Sequence, residues 1–163
     1  MRDDYSSMQS SVWLRSVQLS DAALIVEQWL PGGLDGYSFP ADKYGMAELI
    51  AQWIAGEVAN QLFLMFMIEC VGGAAGLLSL YEQDGALSVG VSVLRKYRNR
   101  GIAVAAVRAS VPLARDMGYT RLVAQNRTDN WASIALCQKC GFQCVGKGVN
   151  ARGKEVFYWE LRL

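Results

Sequence analysis

Val93-Leu94-Arg95-Lys96-Tyr97-Arg98-Asn99-Arg100-Gly101-Ile102-Ala103 is the stretch on which the fold and the chemistry of this chain turn. An apolar, β-branched run ends, four basic residues fall within six positions, and a glycine opens a helical repeat. Ile102, Ala106, Ala109, Leu113 and Met117 follow at steps of three and four, with Gly118 as a C-terminal stop. A helix start presents unpaired N–H groups and the positive end of a dipole, so strand, basic turn and helix together make a phosphate cradle. Gly101 lets a phosphate approach the backbone, and Ala103 keeps the first helical turn free of bulk. The same residues also suit a solvated loop that only caps a strand.

Upstream, Val12 to Val17 predicts a strand, and Ser20 and Asp21 offer an N-cap for a helix through Leu30, ended by Pro31-Gly32-Gly33. A second helix is expected from about Asp42 to Ala55, with Met46, Leu49, Ile50, Trp53 and Ile54 on its apolar side. Residues 62 to 81 are nearly long and apolar enough to cross a bilayer, but Glu69 and Gly72-Gly73 interrupt them. Two buried strands joined by a glycine turn fit better. Glu82-Gln83-Asp84-Gly85 then turns the chain into a strand from Ala86 to Leu94.

Downstream, Pro112 removes a helical donor and crowds the carbonyl of Arg108, which predicts a kink. Arg121 to Gln125 reads as a strand and Asn130 to Lys139 as a helix. Gly141-Phe142 restarts strand structure, and Glu155 to Leu161 is the last strand. With no repeat or linker, residues 1–163 form one expected domain, its specific motifs lying within 89–142. The class is α/β: a single mixed, mostly antiparallel, twisted sheet with helices on both faces.

Composition narrows the chemistry. The absence of histidine excludes Ser-His-Asp triads, Cys-His nucleophiles and HExxH metalloproteases. A net charge of +1 argues against a nucleic-acid partner. The polar start, MRDDYSSMQSS, lacks the apolar core of a signal peptide, so a cytoplasmic protein with reduced thiols and no membrane contact is expected. Cys137, Cys140 and Cys144, with Cys70, could ligate a metal. Paired CxxC elements are missing, so packed core thiols and no metal are the better reading. Gly141-Phe142-Gln143-Cys144-Val145-Gly146-Lys147-Gly148 nearly spells a P-loop, but Gly148 stands where Ser or Thr is required.

Arg98-Asn99-Arg100-Gly101-Ile102-Ala103 resembles the (Arg/Gln)-x-x-Gly-x-(Gly/Ala) signature of the GNAT family of N-acetyltransferases. Asn130-x-x-Ser133, followed by Lys139-Cys140-Gly141-Phe142, is similar to that family's second motif. The resemblance implies acetyl-coenzyme A as cosubstrate and an amine as acetyl acceptor, and it allows a homodimer. It implies pyrophosphate on the amides of Arg98, Asn99, Arg100, Gly101, Ile102 and Ala103, and pantetheine along a splayed strand at Val91, Ser92 and Val93. In the family a bulge in that strand aims an N–H at the thioester carbonyl, where it would stabilise an oxyanion. Asn130 and Ser133 would lie beside the cofactor.

Two positions depart from the pattern. Many members carry a glutamate base where this chain has Ser88, and a tyrosine acid where it has Cys137. Cys137 could protonate the leaving thiolate or merely pack, while Glu69, Glu82 and Asp84 remain as base candidates. The acceptor side is expected in residues 29 to 56, where Trp29, Tyr37, Phe39, Tyr44 and Trp53 accompany Glu27, Asp35, Asp42 and Glu48. The expected activity is transfer of acetyl from acetyl-coenzyme A to a primary amine, on a small molecule or a protein N-terminus. The alternative is a non-catalytic acyl-coenzyme A sensor or interaction module of the same fold.

Overall fold

A computed structural model describes residues 11–30, 39–58 and 60–163. Strand β1 (Val12–Ser16) leads into helix α1 (Asp21–Leu24), which continues as a π-turn over Ile25–Trp29. Helix α2 is Lys43–Ala55, followed by the short strand β2 (Glu57–Val58). Strands β3 (Gln61–Cys70), β4 (Gly73–Gln83) and β5 (Ala86–Val93) form a meander. A 3-10 turn at Arg95–Tyr97 then leads to helix α3 (Ile102–Asp116). Strand β6 (Arg121–Arg127), helix α4 (Trp131–Lys139), β7 (Gln143–Val149) and β8 (Glu155–Arg162) complete the chain.

Seven strands lie in the order β1-β3-β4-β5-β6-β8-β7, with β2 pairing β3 off this path. Every pairing is antiparallel except β5 with β6. Ala75 to Leu80 of β4 are buried without alternation, which requires cover on both faces of the sheet. The membrane-like stretch is therefore the centre of the core: Met67, Ile68, Leu77, Leu78 and Leu80 are fully buried there. Among the described residues no helix is long and apolar enough to cross a membrane. Asp84 and Gly85, both at positive φ, make the two-residue turn from β4 to β5.

Local signals placed most elements, with one exception. Ser20 makes no side-chain cap; instead the Asp21 carboxylate accepts from the backbone N–H of Gln18 at 2.7 Å. Pro112 lies inside α3, which continues on both sides of it. Pro31-Gly32-Gly33 lies outside the described residues.

Arg15 ties α1 to the sheet edge. Its guanidinium donates to both oxygens of Asp21, at 2.8 and 3.0 Å, and to Glu69 Oε1 at 2.6 Å. The Asp21 side chain is only 7% exposed, so removing Arg15 strands a buried charge. Arg15→Met is expected to cost about 3 kcal/mol, as for breaking one side of a buried pair. Urea unfolding of the variant measures this; a midpoint unchanged from the parent would mean that solvent already satisfies Asp21.

Candidate functional site

The centre of interest is a fork in the sheet. β5 and β6 pair in parallel only at Leu87 with Leu122 and Ser88 with Val123. Beyond that point Val89–Val93 remain paired to β4, and Ala124–Arg127 remain paired to β8. Past it the facing edges of β5 and β6 do not pair with each other, over roughly 16 Å of β5 and roughly 13 Å of β6. A peptide-like chain could add between them.

The basic turn stands at the open end of this fork. Asn99 and Gly101 take positive φ, 62° and 73°, and Gly101 is the N-cap of α3. The first bond of that helix runs from Ala105 N–H to the Gly101 carbonyl at 3.0 Å. The amides of Ile102, Ala103 and Val104 are thus left at the helix start without partners inside the helix. A Cβ built on Gly101 meets nothing within 4 Å, so the space above this turn is open. Beside it lies a cavity of about 500 Å³ whose lining includes Tyr97, Arg100, Gly101, Ile102, Arg108 and Lys139.

The four basic residues do not act alike. Arg98 turns back, its Nε donating to the Val93 carbonyl at 3.0 Å and so pinning the strand end to the turn. Lys96 and Arg100 lie over the Tyr97 ring, at 5.2 and 5.8 Å from its centroid. The Tyr97 hydroxyl donates to the Gly72 carbonyl at 2.9 Å, anchoring the turn to the β3–β4 hairpin. Tyr97 is thus the structural key to the turn; its place among four cations was the available clue.

Val91, Ser92 and Val93 all lie on the diverging part of β5. The bulge that the resemblance implies is not seen there: β5 pairs β4 in a single register from Gly76–Val93 to Gln83–Ala86. Register shifts occur instead in the β3–β4 pair, between Ile68 and Glu69, and in the β7–β8 pair, between Cys144 and Gly146. Asn130 caps α4, its Oδ1 accepting from the Ser133 N–H at 3.2 Å. One turn on, Ser133 and Cys137 face β6, where Asn126 donates to Ser133 Oγ at 3.3 Å and to Cys137 Sγ at 3.6 Å. Burial raises the Cys137 thiol to about 12, so it stays protonated at neutral pH. Burial also raises Cys140, against the opposing pull of Arg108.

The two carboxylates are set apart. Glu69 is level with Ala74 of β4, on the far side of that strand from β5, and it holds Arg15. Ser88, buried at the last paired step of the fork, is level with Tyr81, seven residues further along β4. That separation is about 23 Å along the strand. Glu82 is level with Leu87, just below the fork, and accepts a hydrogen bond from the Tyr119 hydroxyl. With Tyr81 and Asp84 it lines a separate concavity at the closed end. On the expected acceptor side, Trp29 and Trp53 are core residues, with Phe39 packed edge-on against Trp53 at 5.6 Å. Glu27 pairs with Lys43, Asp42 caps α2, and Tyr44 is exposed. Tyr37 and Asp35 lie outside the described residues. All four cysteines are free thiols, and no group of three or more metal-ligating side chains occurs among the described residues.

Residues 11–143 match the model of the acetyltransferase (GNAT) domain. Two curated relatives are similar over a shorter stretch. N-acetyltransferase family 8 member 2 of Rattus norvegicus is 41% identical over 56 residues, which is 34% of this chain and 25% of the relative. Probable N-acetyltransferase family 8 member 5 of Mus musculus is 39% identical over 57 residues, 35% of this chain and 25% of the relative. The chain thus matches a quarter of the length of these relatives. Among solved structures, RimL, a ribosomal L7/L12 alpha-N-protein acetyltransferase in complex with coenzyme A, has a similar fold. It superposes with a TM-score of 0.78 at 20% identity, over 94% of this chain and 95% of that one. The microcin C7 self-immunity acetyltransferase MccE, in complex with acetyl-CoA and AMP, gives 0.78 at 19% identity, over 96% and 94%. Spermidine/spermine N-acetyltransferase SpeG from Vibrio cholerae gives 0.73 at 17% identity, over 95% and 94%. With the domain model matching residues 11–143, the chain belongs to the GNAT acetyltransferase family.

Proposed function

We propose that this protein transfers the acetyl group of acetyl-coenzyme A to a primary amine. The observation that carries the reading is the fork between β5 and β6 with a bare helix N-terminus at its open end. The pyrophosphate would rest on the amides of Asn99 to Ala103, where the helix dipole favours negative charge; the Arg98 N–H, also expected there, donates instead to the Arg95 carbonyl at 3.2 Å. The pantetheine arm would add as a short strand along Val91, Ser92 and Val93, beside Asn130 and Ser133. The adenosine end suits the cavity beside the turn, which joins apolar walls to Arg100, Arg108 and Lys139. Family membership and the acetyl-CoA bound in MccE support the same cosubstrate.

The proton carriers follow from what surrounds each group. Glu69 and Glu82 lie at different levels of the sheet, so they cannot share one acceptor site. Of the two, Glu82 stands nearer the fork. An amine that arrives neutral needs no strong base, and Ser88 supplies none. Cys137, buried beside the fork, is the candidate donor toward the departing sulfur. The structural relatives are named as a ribosomal L7/L12 alpha-N-protein acetyltransferase, a spermidine/spermine N-acetyltransferase and a microcin C7 self-immunity acetyltransferase, so the amine class is open to a direct screen.

Acetyl-coenzyme A at a hundred times its dissociation constant should stabilise the protein by about 2.7 kcal/mol, seen as a rise in Tm. Release of coenzyme A thiol in the presence of an amine panel then identifies the acceptor. A Tm indifferent to millimolar cofactor counts against the entire reading. The regular β5 register and Ser88 favour one competing function, a non-catalytic acyl-coenzyme A sensor of the same fold. Binding without acetyl transfer to any amine, even at high pH, would select that alternative.

A further inference from the structure

Asn126 sits on β6 beyond the last paired step of the fork, 6% exposed, and no motif contains it. Its Oδ1 accepts from the Trp159 indole Nε1 at 3.0 Å. An indole N–H can only donate, so this bond sets which way round the amide lies. The NH₂ is then committed to Ser133 Oγ and Cys137 Sγ, one hydrogen to each. Because Asn126 Nδ2 can only donate, the hydroxyl and the thiol both act as acceptors toward it. Each therefore keeps its own proton for some other acceptor. Ser133 and Cys137 lie four residues apart on α4, on one helix face, beside the open stretch of β6.

Building on the acetyl-transfer reading, we propose that Asn126, held by Trp159, is a positioning residue that aims the Ser133 hydroxyl and the Cys137 thiol at the coenzyme A sulfur. The step balances as follows. The neutral amine nitrogen bonds to the acetyl carbon, and the carbon–sulfur bond breaks with its electron pair going to sulfur. The amine nitrogen loses its extra proton to solvent, and the thiolate, held by one O–H and one S–H donor, later takes a proton from water. Donors aimed where charge develops, and fixed beforehand, lower the barrier without reorganising.

The test needs no acceptor. Dissociation constants for coenzyme A and desulfo-coenzyme A are measured by calorimetry at pH 9, where a free thiol with an ordinary pKa near ~8.5 is mostly ionised. The parent protein is expected to prefer coenzyme A by about tenfold, the scale of a hydrogen bond to a charged group. Asn126→Leu should bring that ratio close to one while leaving desulfo-coenzyme A affinity unchanged. Trp159→Phe keeps an aromatic side chain, though a smaller one, and removes the N–H, so it should lower the ratio even if Asn126→Leu fails to fold. A merely structural role would lower Tm and weaken both ligands together. Equal affinity for the two ligands in the parent, or a ratio untouched by either variant, overturns the proposal alone. Binding of neither ligand removes the acetyl-transfer reading along with it.

Discussion

Gly101→Glu should weaken acetyl-coenzyme A binding by roughly a thousandfold and abolish the cofactor-dependent rise in Tm. The open space above Gly101 is where the pyrophosphate is expected, and a carboxylate there would face it directly. Two unit charges about 4 Å apart repel by about 4 kcal/mol at the effective dielectric of a protein surface, which is close to three decades in affinity. Gly101 also has a φ of 73°, so any side chain adds local strain. Gly101→Gln carries the same bulk and the same strain without the charge. It should lose some stability and some binding to bulk and strain alone, so the further loss in Gly101→Glu isolates electrostatics. Equal binding by both, measured by calorimetry, would move the anion site away from this turn.

Gly76→Ala should be the most destabilising single-methyl change in the sheet, at about 3 kcal/mol or more, near the upper end for overpacked sites. A Cβ at Gly76 would lie 2.0 Å from the Ser92 carbonyl oxygen and 3.0 Å from both Ser92 C and Val93 Cα. Those are backbone atoms, so no rotamer change can relieve the contact, and β4 must move from β5. Because Ser92 and Val93 border the open slot, cofactor affinity should fall in the same variant. Gly146→Ala is the control: its Cβ meets only Tyr158 Cδ2, at an ordinary 3.6 Å. Urea unfolding of both variants checks the contrast; similar midpoints would show that β4 and β5 separate easily.

What the sequence made legible was local. The strand, basic turn and helix around Gly101 are written in consecutive residues, as is the hairpin of residues 62 to 81 with its interrupting glycines. The Asn130 cap is likewise a contact of three residues' span. What stayed hidden depends on partners far along the chain. Asn126 meets Trp159 across 33 positions, and nothing short-range announces that pair. The one available signal was a polar residue in phase with Leu122 and Ala124, on the covered face of a strand. The Arg98 amide reads as a phosphate donor until the Arg95 carbonyl is seen within its reach at 3.2 Å. Trp29 and Trp53 look like an aromatic cage in composition, yet both fill the core, because apolar area outweighs the modest gain of a cation–π contact. Ser20 lost its cap because Arg15 holds Asp21 in place to serve the Gln18 amide.

The fork also has a mechanical meaning. With only two register pairs joining β5 to β6, the sheet is two plates, β1-β3-β4-β5 and β6-β8-β7, sewn together by a short seam at Leu87–Val123. Within each plate the ladders are long, broken by one register shift in β3–β4 and one in β7–β8; across the seam the main chain supplies little resistance to shear. The helices then carry the load: α3 lies against β1 and β5 of one plate, α4 lies against β6 of the other, and the two helices touch each other. An extended ligand lying in the fork is a removable strand that lengthens the seam. Occupancy of the slot would thereby set how stiffly one half of the molecule follows the other, and a chemical cosubstrate bound there would serve as a temporary part of the framework.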